Sequence, residues 1–416
     1  MKKRILLLAA ILLGFYANAQ VTSGTVTMGA GYADQVYYKL SNQATNAYPH
    51  ASWDVAFLRT SNFGFATRVN EARGIQIFEA SSNISDWATI DVANEPNWTP
   101  LHNSETQWDL GAIDNGSATY GWGEYNPATH HVNGSVVFVF KYGNGTYRKF
   151  KLDDFFGGYT FTYSTWSGTA WSADATVTLP NATNPTNQFN YYSLENNTSV
   201  IAEPATTDWD LIFTKYKTDY FNDGTVFQDV TGVLHHPSIE IAENIEVGNV
   251  PNPSNLTFVS EINAIGFDWK TFDMGSFTYL IDTNKAFYVK HLNGTVYRLV
   301  FSSFVGSSTG VITFNYEDVT SLLGTTNFAN NVSFGVYPNP SIDKKINVVY
   351  ELPNGNSDTN TVSVYSITGA KVYEKVITNV VGFFNQEIDL SALNSGMYVL
   401  KFESGNYSTS KKIVLQ

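Results

Sequence analysis

Residues 267–316 read FDWKTFDMGSFTYLIDTNKAFYVKHLNGTVYRLVFSSFVGSSTGVITFNY, and this stretch sets the fold class. Ala286–Lys290 suits a strand, Asn293-Gly294 a tight turn and Val296–Phe301 the returning strand. Asn and Gly both tolerate the positive φ that a two-residue hairpin turn demands. Past Gly310, Val311–Tyr316 reads as a further strand. A second version lies at 136–163, VVFVFKYGNGTYRKFKLDDFFGGYTFTY. The pairing of these two β-meanders leads to the domain plan.

The composition agrees with a mainly β chain. Only 15% of the 416 residues are charged, and Tyr, Phe, Gly, Thr and Asn are plentiful. Aromatic and β-branched residues suit strands, and Gly/Asn clusters suit turns. The length allows two or three domains. At the start, Lys2, Lys3 and Arg4 precede an apolar run, Ile5–Tyr16, and a small-x-small site at Ala17-Asn18-Ala19. That pattern is a signal peptide spanning 1–19, too short in its apolar part for a membrane span. No later run is long and apolar enough to cross a bilayer. With no cysteine, disulfides, thiolate metal sites and a Cys nucleophile are excluded. The net charge is −13, and removing the three basic leader residues takes it to −16. With no basic stripe, nucleic acid is not an expected partner.

Taken in order, the chain repeats itself. Tyr37-Tyr38-Lys39-Leu40 is echoed by Tyr191-Tyr192-Ser193-Leu194. Trp53-Asp54-Val55-Ala56-Phe57 is echoed by Trp209-Asp210-Leu211-Ile212-Phe213. Lys141–Thr146 returns as Lys290–Thr295, and Phe161-Thr162-Tyr163 as Phe314-Asn315-Tyr316. Four landmarks in one order imply a tandem duplication of a β-rich domain, 20–180 and then 185–322. The shared W-D-hydrophobic-x-F argues most strongly for it, since a meander needs no such motif. The polar, turn-rich run Leu179–Asn187 reads as the linker, and 323–332 is a second low-signal stretch. A third block, 334–416, alternates apolar and polar residues in short strands and reads as a small β-sandwich.

The third block resembles the C-terminal sorting domain of Bacteroidetes type IX secretion. Tyr337-Pro338-Asn339-Pro340, Val364-Tyr365-Ser366-Ile367-Thr368-Gly369, Leu393–Val399 and the terminal Lys-Lys-Ile-Val-Leu carry the likeness. It implies export through the outer membrane by the type IX machinery. The two upstream blocks resemble HmuY-type haem-binding proteins. The likeness rests on Trp209–Phe213, Phe287–Lys290 with Asn293-Gly294 and Tyr297-Arg298, and Gly310–Phe314. In the first copy it runs through Trp53–Phe57, Trp122 to His130, and 137–149. The resemblance implies two tandem β-rich domains that grip haem for iron acquisition, without catalysis, and an outer-membrane haem receptor as recipient. The alternative is a structural or adhesive surface protein that keeps the fold without haem.

Haem iron takes its axial donors from His, Met, Cys or Tyr. Met274, in Phe272-Asp273-Met274-Gly275, lies where the family places an axial ligand; its other reading is a core filler. His130-His131 occupies the corresponding neighbourhood of the first copy, offset by several residues, and adjacent strand residues face opposite sides, so one of the two, His130, is the candidate. His235-His236, before Pro237, belongs to a loop that the family sets near the haem mouth. His50, His102 and His291 read as surface or turn residues. No clear axial pair emerges in either copy. Other motifs carry less. Gly306-Ser307-Ser308-Thr309-Gly310 fits G-x-S-x-G, but a strand follows where a nucleophile elbow needs a helix. Asp219 with Asn222-Asp223-Gly224 lacks the closing Glu of a calcium loop. Asp208 and Asp210 around Trp209 read as a polar strand edge.

Overall fold

The computed structural model describes residues 20–61, 63–253, 256–323, 334–352, 360–377, 382–404 and 407–416. The leader at 1–19 and most of 323–332 lie outside these. The protein is mainly β, built from antiparallel sheets. It divides into two compact units, one of residues up to 290 with 296–319, the other of 291–295 with 320–416.

The larger unit holds both copies as two β bodies, each with its own core. The first core gathers Phe57, Trp122, Phe138, Phe150 and Phe161, and Tyr192 and Leu194 join it. The second gathers Phe213, Trp269, Phe287, Phe301 and Phe314, with Val26, Val36, Tyr38 and Leu40 from the start of the chain. The expected meanders are present, as Val137–Lys141, Tyr147–Phe155 and Gly158–Thr165, and as Lys285–His291, Val296–Phe304 and Val311–Asp318.

The bodies are phased differently from the 20–180 and 185–322 division. Strand Thr22–Thr27 does not join the first copy; it pairs along Val311–Asp318, with Gly24 opposite Phe314. Asp34–Tyr38 pairs with Leu211–Asp219, Tyr37 opposite Ile212. In the same way Ala175–Pro180 edges the first body's meander, and Phe189–Ser193 pairs with Val55–Leu58. Each copy's opening strands therefore complete the other copy, and the second body is closed by the beginning of the chain. The closure is tight. A Cβ on Gly24 would lie 2.4 Å from the Phe314 ring, and Gly310, at φ +65°, accepts from Met28 N at 3.0 Å.

The repeated Trp-Asp motif locks these joints. Asp54 N donates to Tyr192 O at 2.9 Å, and Asp210 N to Tyr38 O at 2.8 Å. Leu194 N donates to Asp54 Oδ2 at 2.6 Å, as Leu40 N does to Asp210 Oδ2 at 2.8 Å. Each second oxygen takes a cation, Arg73 on Asp54 and Lys39 on Asp210. The tryptophans stack edge-on against the lent tyrosines, Trp53 on Tyr191 at 4.9 Å and Trp209 on Tyr37 at 5.1 Å. Asp208 is exposed in a short 3-10 turn while Asp210 is buried, so the two do not form the polar strand edge read from the sequence. The run 179–187 is no linker. Leu179, Asn181 and Asn187 are buried, and the Arg59 guanidinium gathers the carbonyls of Asn181, Pro185 and Asn187. That cation supplies the packing the run's polar composition lacks.

The smaller unit is a two-sheet sandwich. Phe334–Tyr337, Lys345–Leu352 and Gly382–Asp389 form one sheet; Lys371–Ile377, Asn360–Ser366, Gly396–Ser404 and Tyr407–Leu415 form the other. Period-two alternation sends Ile346, Val348 and Tyr350 from one side, and Val362, Val364, Leu400 and Phe402 from the other, into a shared core.

Asp210→Ala removes the acceptor of a buried backbone N–H and strands Lys39. It should destabilise the larger unit by about 2–4 kcal/mol, read as a lowered urea midpoint. Asp208→Ala, at an exposed turn, should stay within about 0.5 kcal/mol of wild type.

Candidate functional site

Two kinds of place could hold a ligand: the hairpin that follows the buried tryptophan of each body, and the space between the bodies. In the second body, after Trp269, Lys270–Asp273 pairs with Thr278–Ile281. The Asp273 carboxylate accepts from Gly275 N and Ser276 N and from the Ser276 hydroxyl, which holds its pKa below the usual carboxylate range. Phe277 turns at φ +54°. Met274 sits at this tip, 72% exposed, so it fills no core gap. Phe272, Phe277 and Leu280 are exposed beside it. A run of ring contacts leads inward, from Phe272 to Tyr279 at 5.1 Å and on to Phe304 at 4.6 Å.

In the first body, after Trp122, Gly123–Asn126 pairs with His131–Gly134. His130 occupies the turn at φ +62°, matching Phe277. Its Nδ1 lies 2.6 Å from the Tyr125 hydroxyl. His131 begins the strand and turns the other way, with Nδ1 2.7 Å from Asp154 and its ring stacked on Phe156. The two histidines thus face different partners, but the reason is that His130 lies in the turn, outside the strand that begins at His131, and not strand alternation.

His235 and His236 lie at the end of the Phe227–His235 strand. His235 is fully buried, and its two ring nitrogens lie 2.9 and 2.8 Å from the carbonyls of His236 and Glu261. Burial pushes its pKa down, against those carbonyls. Neither nitrogen is open to an iron. His236 Nδ1 accepts from Ser238 N at 3.1 Å, and its ring stands edge-on to Trp209 at 4.6 Å. His50 is buried rather than superficial, and burial, with Lys215 nearby, lowers its pKa to about 3. His102 is half-buried against Phe227, with Nδ1 2.8 Å from Glu71. Among the described residues, no three His, Asp or Glu side chains gather as a metal site. The Gly306–Gly310 run is a turn between two strands, without the helix that an elbow requires.

The space between the bodies was not foreseen from the sequence. Trp108 borders two openings there, a small pocket of about 70 Å³ and a wider cleft of about 600 Å³. Its Nε1 donates to His235 O at 2.9 Å. The Arg68 guanidinium lies 5.1 Å from the indole and donates to the carbonyls of Ser104, Gln107 and Leu110, which fixes the loop that carries Trp108. Burial lowers the Arg68 pKa to about 10. Glu105, on the same loop, accepts from Thr218 Oγ1, Asp219 N and Asn263 Nδ2 of the second body. Glu203 lies nearby, accepting from Phe189 N at 2.7 Å and the Tyr191 hydroxyl at 3.0 Å. Trp108 belongs to none of the motifs read from the sequence. Its role depends on neighbours 30 to 130 residues away in the chain.

Residues 335–416 match the family model of the secretion system C-terminal sorting domain. The protein is therefore exported by type IX secretion, to be released or held at the cell surface. No curated protein matches the chain. The HmuY likeness of residues 30–318 gains no support from these comparisons. Within the sorting domain the Tyr-Pro-Asn-Pro motif has a structural reading: Asn339 donates from Nδ2 to Lys412 O at 2.8 Å and accepts at Oδ1 from Val414 N at 2.9 Å. It ties the start of the domain to its last strand.

Two predictions follow from these placements. Burial raises the Glu203 pKa from 4.5 to about 7, so the folded protein favours the neutral carboxyl. That stability is present below the unfolded value and is lost as pH rises from about 4.5 to 7. Glu203→Gln should flatten the fall of Tm across this window. A residual slope of the same sign should remain from buried Asp114, whose pKa burial also raises to about 7. Asn339→Ala should loosen the sandwich by about 1–2 kcal/mol and reduce the fraction of protein reaching the medium or cell surface, measured by fractionation and immunoblot.

Proposed function

We propose that the exported protein captures haem outside the cell for iron acquisition, performs no catalytic step, and passes its ligand to an outer-membrane haem receptor. The observation that carries this reading is the exposed tip at Met274, flanked by Phe272, Phe277 and Leu280. Exposed apolar groups gathered on a fixed hairpin mark an interaction surface, and a flat aromatic macrocycle suits it. Iron in a porphyrin already has four nitrogen donors and needs only axial ones from the protein. The Met274 thioether is reachable at the tip and would be one such donor. His130, beside Tyr125 on the equivalent hairpin of the first body, is the candidate there. His235 and His236 fit less well, since both His235 ring nitrogens face carbonyls and His236 Nδ1 faces Ser238.

Hemin titrated into the protein lacking residues 1–19 should give a saturable Soret band with a defined stoichiometry. Met274→Ala should shift that band or weaken binding. The reading is falsified if no spectral change appears with hemin at tens of micromolar. The same apolar tips would then favour the second reading, a surface protein that uses them for adhesive contacts.

A further inference from the structure

We propose that the cleft between the two bodies binds a neutral, polyhydroxylated ligand, a pyranose sugar or a short chain of them. The cleft measures about 600 Å³, within the range of small-molecule sites. Three features specify the ligand. The first is the wall. Trp108 is held rigidly, by its Nε1 bond to His235 O and by Arg68, so a flat apolar surface is presented without an ordering cost at binding. The C–H face of a pyranose matches such a surface.

The second feature is an unmet acceptor. Gln188 lines the cleft and is only 5% exposed, yet its Oε1 has no hydrogen-bond partner among the described residues. A buried acceptor left unpaired is costly, and a small rotation of the side chain toward the cleft would let a ligand hydroxyl donate to it. Thr60 and Thr206 add hydroxyls to the lining.

The third feature is charge. Asp109 and Glu261 line the cleft, and among the described residues no Lys or Arg does. The nearest chain neighbour, Arg59, has its guanidinium turned to the carbonyls of Asn181, Pro185 and Asn187. Two carboxylates without a cation reject phosphates, uronates, sialic acids and the two propionates of haem. They accept hydroxyl and amino groups. The cleft and the Met274 tip thus suit different chemistries, and the sugar site does not depend on haem capture.

The test uses the whole protein without residues 1–19. Isothermal titration is run with maltose, cellobiose, chitobiose and mannobiose, and with sialyllactose and galacturonate oligomers as acidic counterparts. Pull-down on insoluble starch, cellulose and chitin scores a chain-bound form of the same ligand. At least one neutral sugar, free or chain-bound, should bind, and the acidic ones should not. Trp108→Ala should weaken binding about ten-fold or more. Because that change touches the packing between the bodies, Gln188→Leu serves beside it: it keeps the volume, removes the unpaired acceptor and should weaken binding with a Tm equal to or above that of wild type. Failure of every neutral sugar at about 10 mM overturns the proposal. So does equal binding of acidic sugars, or a Gln188→Leu protein that binds as wild type does.

Discussion

The carboxylate of Asp210 holds the beginning of the chain to a strand some 170 residues away. It accepts from Leu40 N and faces Lys39, so the lent strand Asp34–Tyr38 ends against a fixed anion. Everything in the larger unit depends on this joint. Without Thr22–Thr27 and Asp34–Tyr38, the second body would lack an edge of one sheet and an inner strand of another. Its core would lose Val26, Val36, Tyr38 and Leu40. Asp54 performs the same task for the first body, where the lent strands follow directly in the chain. The two joints have the same geometry and similar loop-closure costs, since they close spans of 140 and 170 residues.

Because each copy reaches into the other, the surfaces between the bodies are made of the joint itself. Trp53 with Tyr191 and Trp209 with Tyr37 line it from both sides. Trp108 lies between them, packed with both groups. The joint is rich in buried polar groups. Arg68 serves three carbonyls and Glu105 three donors, while Glu203 meets Phe189 N and Tyr191. Buried polar contacts of this kind favour one arrangement, where apolar contact alone would allow several. That rigidity makes the cleft a defined shape. The hairpin tips, by contrast, stand clear of the cores and expose Met274, Phe277 and Tyr125.

Much of the plan was legible in the residues. Alternating Val, Phe and Tyr with Asn-Gly turns specify meanders locally, and both meanders are present. The Trp-Asp motif and the Tyr-Tyr pairs disclosed the duplication because both copies need the same clamp. His130 and His131 meet different partners because His130 lies in the turn before the strand, which alternation along a strand does not describe. The phase of the repeat was less accessible. Thr25-Val26-Thr27 before Tyr37-Tyr38 does mirror Thr176-Val177-Thr178 before Tyr191-Tyr192, which marks the first strand of each copy. Nothing in that likeness says which copy the strand will join. The run 179–187 was misread for a related reason: its composition is polar, and only Arg59, distant in sequence, makes it part of the structure.

The sequence by itself determined the mainly β class, the two copies, and the sorting domain that sends the protein out of the cell. These are set by local pattern and by motifs whose residues are neighbours in the chain. The tertiary structure decided which strands pair across the copies. It also decided where the candidate ligands sit: Met274 at an exposed tip, His235 against two carbonyls. It alone created the cleft beside Trp108. Edge strands carry unpaired N–H and C=O groups that any compatible strand could satisfy, so partner choice rests on Asp54, Asp210 and the packed tryptophans, whose contacts exist only once the chain has closed on itself.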